Sequence, residues 1–131
     1  MVVYILSSNG VKMKRILVVD DHKEIRVLLS KVFLLSGYEV DSVEDGEAAM
    51  RLVKKKQYNL VVADFMMPKM DSLDLIKKLK MYNPSLPILI MSGSDVGETF
   101  FREAGADAFL TKPLDLSSMK ILVEGILNSK R

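Results

Sequence analysis

Asp20, Asp21, Asp64 and Lys112 each stand just after a short apolar run. The runs are Ile16-Leu17-Val18-Val19, Leu60-Val61-Val62-Ala63 and Phe109-Leu110-Thr111. Three carboxylates brought together repel one another, so the arrangement is unfavourable without a counter-charge. A divalent cation supplies it. Mg²⁺ prefers hard oxygen ligands, keeps several waters, and is usually held by one or two carboxylates plus phosphate oxygens. Mn²⁺ accepts similar ligands. Once the cluster is neutralised, an anionic phosphoryl donor can approach, and a carboxylate can act as nucleophile to form an aspartyl phosphate. Phosphoryl transfer needs mostly positioning and charge stabilisation. Lys112 and the hydroxyl of Ser92 can add to both. His22 follows the acidic pair, but Mg²⁺ does not favour imidazole. It reads as an exposed residue near the first helix start.

The elements that must carry these groups alternate strand and helix. Short apolar runs bounded by turn signals read as buried strands: Arg15 to Asp20, Tyr58 to Asp64, Ile88 to Ser92 and Ala108 to Thr111, with a weaker one over Glu39 to Val43. Pro87 opens the fourth, where a missing N–H is tolerable. A helix is predicted over Glu24 to Ser36, with Ile25, Leu28, Leu29 and Val32 on its inner face and Gly37 as a left-handed stop. Asp45 caps the next, whose inner face is Ala49, Leu52 and Val53. A third runs from Ser72 to Tyr82, with Leu73, Ile76 and Leu79 inward and Pro84 ending it. A short one covers Gly97 to Ala104. The last, Leu116 to Leu127, turns Met119, Leu122, Val123 and Ile126 inward. Strands alternating with helices imply a parallel sheet covered on both faces, doubly wound through right-handed crossovers. In such a sheet, function gathers beyond the carboxyl ends of the strands. The reactive residues all lie there.

The 131 residues suffice for one domain. Nineteen basic against 17 acidic side chains give a net charge of +2, too little to argue for nucleic acid. Lysine runs such as Lys54-Lys55-Lys56 and Lys77-Lys78 read as solvated helix faces. There is no cysteine, so disulfides and thiolate metal sites are excluded. No apolar run reaches the ~18–20 residues that span a membrane. Met1 to Leu6 lacks the basic start of a signal peptide. Residues 1–12 stand outside the alternating scheme and read as an extension, flexible or loosely docked, since termini are seldom held unless paired. The domain is expected over 13–131.

Several segments together resemble the receiver domain of two-component response regulators. They are Val18-Val19-Asp20-Asp21, Val62-Ala63-Asp64-Phe65-Met66-Met67-Pro68, Ile90-Met91-Ser92-Gly93, and Ala104-Gly105-Ala106-Asp107-Ala108-Phe109-Leu110-Thr111-Lys112-Pro113. The resemblance, which is chemotaxis-receiver-like, covers about Lys14 to Asn128. It implies an α/β fold, the flavodoxin-like doubly wound five-stranded parallel sheet of order 2-1-3-4-5 with five helices. It makes Asp64 the phosphoacceptor. Asp21 then binds Mg²⁺ directly, Asp20 mainly through water, and the Met66 backbone carbonyl is a further ligand. Ser92 is the switch hydroxyl, Lys112 the phosphate-pairing lysine, Phe109 the aromatic rotamer switch, and Lys112-Pro113 a cis peptide. Ser72 stands where the family generally has glycine. Met66 stands where it often has a polar residue, so the hydrolytic water is less well held.

The expected function is a cytoplasmic, phosphorylation-dependent signalling switch. A sensor histidine kinase or histidine phosphotransfer protein is the expected donor. A downstream protein or a fused output domain is the expected reader, with a phosphorylation-dependent homodimer as a further state. Neither nucleic acid nor membrane is an expected direct partner. The chain catalyses its own phosphorylation and slow dephosphorylation and is not a conventional enzyme. Two alternatives stand beside this reading. A Mg²⁺-dependent phosphohydrolase resembling the haloacid dehalogenases would carry Asp-x-Asp after the first strand and a cap domain, and this chain has adjacent Asp20-Asp21. A receiver acting as an unphosphorylated interaction module would not need the full set of acids, hydroxyl and lysine.

Overall fold

A computed structural model describes residues 13–65, 72–93 and 98–129. The expectations for residues 1–12, Met66 and the Gly97 helix start fall outside them. Strands and helices alternate as β1 (Arg15–Val19), α1 (Lys23–Leu35), β2 (Glu39–Val43), α2 (Gly46–Val53), β3 (Leu60–Asp64), α3 (Ser72–Tyr82), β4 (Ile88–Ser92), α4 (Glu98–Ala104), β5 (Ala108–Thr111) and α5 (Leu116–Asn128). The five strands form one sheet in the order β2-β1-β3-β4-β5, and every pairing is parallel. This is the flavodoxin-like order. The order reverses between β1 and β3, which opens a crevice at their carboxyl ends.

Burial explains why β1, β3 and β4 read as continuous apolar runs. Their residues are covered on both faces, and β3 and β4 are buried throughout. Leu17, Val19, Val61, Ala63, Ile88 and Ile90 meet α2, α3 and α4 on one face. Ile16, Val18, Leu60, Val62, Leu89 and Met91 meet α1 and α5 on the other. The edge strand β2 is only partly covered, hence its weak sequence signal.

Two helix faces differ from expectation. In α1, Leu29 and Phe33 are the buried residues and Leu28 is 41% exposed. The sequence there is apolar nearly all round, so its periodicity fits more than one face. In α3, Leu75 joins Ile76 and Leu79 in the core, and Leu73 is only half-buried. The ends behave as their residues demand. Gly37 has φ 96° after the last turn of α1, and the Asp45 side chain accepts from the Ala48 amide at 2.9 Å to cap α2. Asp115 caps α5 in the same way, accepting from the Ser117 amide at 3.0 Å.

Candidate functional site

The carboxyl ends of β1, β3, β4 and β5 bring the reactive side chains to the crevice. Asp20 follows β1 and is fully buried; its amide donates to the Val43 carbonyl of β2 at 3.1 Å. Asp64 is the last residue of β3 and is 4% exposed. Lys112 follows β5, and its amide donates to the Ser92 carbonyl at 2.8 Å, locking the ends of β5 and β4 together. Its ammonium lies 2.8 Å from Asp64 Oδ1 and 4.0 Å from Asp20 Oδ2. Ser92 ends β4 and is 1% exposed. The Lys112–Pro113 peptide is cis. Met66 lies outside the described residues.

Asp20, Asp21, His22 and Asp64 each offer a ligand atom, all within 4.8 Å of one another. One oxygen of the group, Asp20 Oδ2, is buried and has no hydrogen-bond partner among the described residues. A buried carboxylate oxygen without a hydrogen-bond donor is costly, and a divalent cation is a partner that would satisfy it. The donors are hard carboxylate oxygens, as Mg²⁺ and Mn²⁺ require. The residues therefore fit a divalent cation, and the group is an acidic metal-binding cluster.

The electrostatics follow from this crowding. Burial pushes the Asp64 carboxyl above its ordinary value; the Lys112 ammonium pulls it down, while Asp20 and Asp21 push it up further. The His22 ring is more than half exposed, yet Nδ1 sits 3.0 Å from Asp20 Oδ1 and 3.1 Å from Asp21 Oδ1. Its hydrogen bond to Asp20, then the charge of Asp21, raises the imidazole above its ordinary value. The exposure of His22 accords with the sequence, but its bridging of both acids is a feature the sequence reading missed. Arg26 was missed too: one turn into α1, it donates to the Asp20 carbonyl at 2.7 Å.

A column of aromatic rings runs from this pocket to the surface. Phe65, the residue after Asp64, meets Phe101 of α4 edge-to-face with centroids 4.8 Å apart. Phe101 is fully buried and stacks on Phe109 of β5 at 5.0 Å. Phe100 meets Phe101 at 5.4 Å and is 45% exposed. Adjacent residues on a helix face different ways, so one ring enters the core and the other reaches solvent. Phe65 carried a signal in its position beside Asp64. Its contact with Phe101 did not, since that depends on how α4 docks.

Fold and pocket together are those of a phosphoryl-accepting signalling module. The family description Response regulator receiver domain matches residues 16–124, and the chain belongs to that family. The family is one of two-component signalling modules whose chemistry is their own phosphorylation. The alkaline phosphatase synthesis transcriptional regulatory protein PhoP of Bacillus subtilis is 36% identical over 118 residues, 87% of this chain and 48% of that protein. Response regulator MprA of Mycolicibacterium vanbaalenii is 36% identical over 86% of this chain and 50% of its own length. The chain thus spans about half the length of these curated relatives. Among solved structures, response regulator TrrA of Thermotoga maritima, in complex with Mg²⁺–BeF, superposes with a TM-score of 0.81. It is 30% identical, and the match covers 88% of this chain and all of that one. The chemotaxis response regulator CheY4 of Vibrio cholerae gives 0.82 at 27% identity, with the same coverage. Among the described residues, no helix is long and apolar enough to cross a membrane.

Proposed function

We propose that Asp64 accepts a phosphoryl group from a phosphohistidine of a sensor kinase or phosphotransfer protein. The observation that carries this is Asp64 itself. It is a nearly buried carboxylate at the sheet's switch point, paired with one ammonium and flanked by two further acids. An Asp64 carboxylate oxygen attacks the phosphorus, the P–N bond to the donor imidazole breaks, and that nitrogen keeps the electron pair and takes a proton. Lys112 releases part of its hold on Asp64 and pairs with the oxygens of the new phosphate. Ser92 donates its hydroxyl to the same group. Asp20, Asp21 and Asp64, with the Met66 carbonyl, would hold Mg²⁺, or Mn²⁺ in its place, and the ion would offset the charge of the acids and of the incoming phosphoryl group.

The domain is residues 13–131, with 1–12 an extension to it, and it works in the cytoplasm. Its phosphorylated form is read by a downstream protein or a fused output domain. Contact is made through the face of α4, β5 and α5, or through a homodimer on that face. Direct contact with nucleic acid is left to the output partner. Treatment with acetyl phosphate and Mg²⁺, followed by intact-mass measurement, tests the reading. Wild type should gain a single phosphoryl group and Asp64→Asn none. Equal labelling of the two would make another residue the acceptor.

A further inference from the structure

We propose that Ser72 is a positioning residue for the phosphoacceptor, its hydroxyl holding the end of β3 so that the Asp64 carboxylate faces Lys112. The proposal rests on the reading of Asp64 as acceptor. Ser72 is the first residue of α3 and is fully buried. Its Oγ–H points at the main-chain carbonyl of Asp64, and the Phe65 carbonyl lies 2.7 Å from the same oxygen. A hydroxyl has one proton, so the two carbonyls share or exchange it. A serine at a helix start ordinarily accepts from the helix's own amides. Here it donates, and it donates away from the helix, toward the acceptor strand.

The acceptor strand needs such a hold. The register between β1 and β3 ends at Val19↔Ala63, so Asp64 lies one residue past the point where β1 runs alongside. Beyond it the Phe65 amide donates to the Met91 carbonyl at 2.9 Å, a tie to β4. Ser72 adds a tie on the other flank. Carbonyl and side chain leave the same Cα of Asp64. Holding the peptide plane that follows Asp64 fixes the axis of its Cα–C bond and so limits how far the Cα–Cβ bond can swing, on which the 2.8 Å contact to Lys112 depends. The tie at Phe65 also steadies the ring that meets Phe101. Productive geometry in such sites is held by neighbours that lock the reacting group.

Wild type, Ser72→Ala, Ser72→Gly and Ser72→Thr answer the question together. Two quantities are read: the initial rate of phosphoryl incorporation from acetyl phosphate with Mg²⁺, and the hydrogen-exchange rate of the Phe65 amide without either. The alanine and glycine variants should melt cooperatively, accept phosphoryl about fivefold more slowly, the factor one net hydrogen bond is worth, and exchange Phe65 faster. The threonine variant, which keeps the hydroxyl, should recover both. Wild-type labelling and exchange in Ser72→Ala would overturn the proposal. So would a threonine variant as slow as alanine, because side-chain packing would then be the cause. Failure of wild type itself to be labelled would overturn the acceptor reading, and the positioning role with it.

Discussion

At Asp20 the cluster can be probed without any phosphate. Its Oδ2 is buried beside two further acids and has no hydrogen-bond donor among the described residues, the Lys112 ammonium standing 4.0 Å away. Asp20→Asn removes one of the repelling charges and puts a donor or a neutral oxygen in its place. In metal-free buffer the variant should melt a few degrees above wild type, a gain of about 1 kcal/mol. Added Mg²⁺ should stabilise wild type by mass action and the variant much less. Equal gains in both would show that the cation binds elsewhere. Asp21→Asn should likewise fold and bind Mg²⁺ more weakly; an unchanged titration would remove Asp21 from the ligand set. Lys112→Ala leaves the nucleophile in place but removes the charge that pairs with the new phosphate. It should still be labelled, while the aromatic signals of Phe109 stay where they are in the unmodified protein.

Among the elements, β2 is the least covered strand, and polar contacts hold its middle. The Tyr58 hydroxyl, at the approach to β3, donates to Asp41 Oδ2 at 2.6 Å, and Lys56 reaches the same oxygen at 3.2 Å. Burial pushes the Asp41 carboxyl up, but these two donors outweigh it and leave it below its ordinary value. Burial, then Asp41, raises the Tyr58 phenol. A carboxyl depressed by folding stabilises the protein above its unfolded value, about 3.9, and the gain disappears as the pH falls through the depressed value. Tyr58→Phe keeps the ring and loses the bond. It should cost about 1 kcal/mol at neutral pH in urea melts. The gap from wild type should close as the pH falls below about 3.9. A gap that stays constant into acid would mean that Asp41 is not what Tyr58 stabilises.

Much of this architecture was readable in the chain. The runs before Asp20 and Asp64 are buried on both faces, and a doubly covered strand leaves an unmistakable apolar block, while the edge strand before Lys112 is only half-buried and is marked by a shorter run. Each block ends where the sheet ends, so the site residues were marked by the same feature that marked the strands. Helix faces were harder. Leu28 and Phe33 exchanged places because Lys23–Leu35 is apolar on more than one side, and only docking against the sheet chooses between them. Ser72 was noticeable as a serine in a glycine position. That its hydroxyl reaches back eight and seven residues to two carbonyls depends on how α3 docks against the sheet. The meeting of Phe65, Phe101 and Phe109 joins three separate elements, and no local pattern encodes it.

Across the whole molecule, the ring column links the pocket to the face of α4 and β5. Phe101 is its centre and part of the core, so Phe101→Ala should cost about 3–5 kcal/mol of stability. Phe100→Ala, on the exposed side, should change stability by about 0.5 kcal/mol or less and act on partner contact or dimerisation instead. A phosphoryl group on Asp64 adds strong acceptor oxygens. On the proposed reading, Ser92 should move toward them, space should open beside β5, and Phe109 should turn further inward against Phe101, biasing two states of that face. Having no hydroxyl, Phe109 should make this turn without a polar tether. Methyl and aromatic NMR of the protein with Mg²⁺ and beryllofluoride, which mimics the phosphoryl group, tests this most directly. Signals around Asp64 should shift together with those of Phe109, Phe101 and α4. Shifts confined to the surroundings of Asp64, with Phe109 and α4 unmoved, would contradict it.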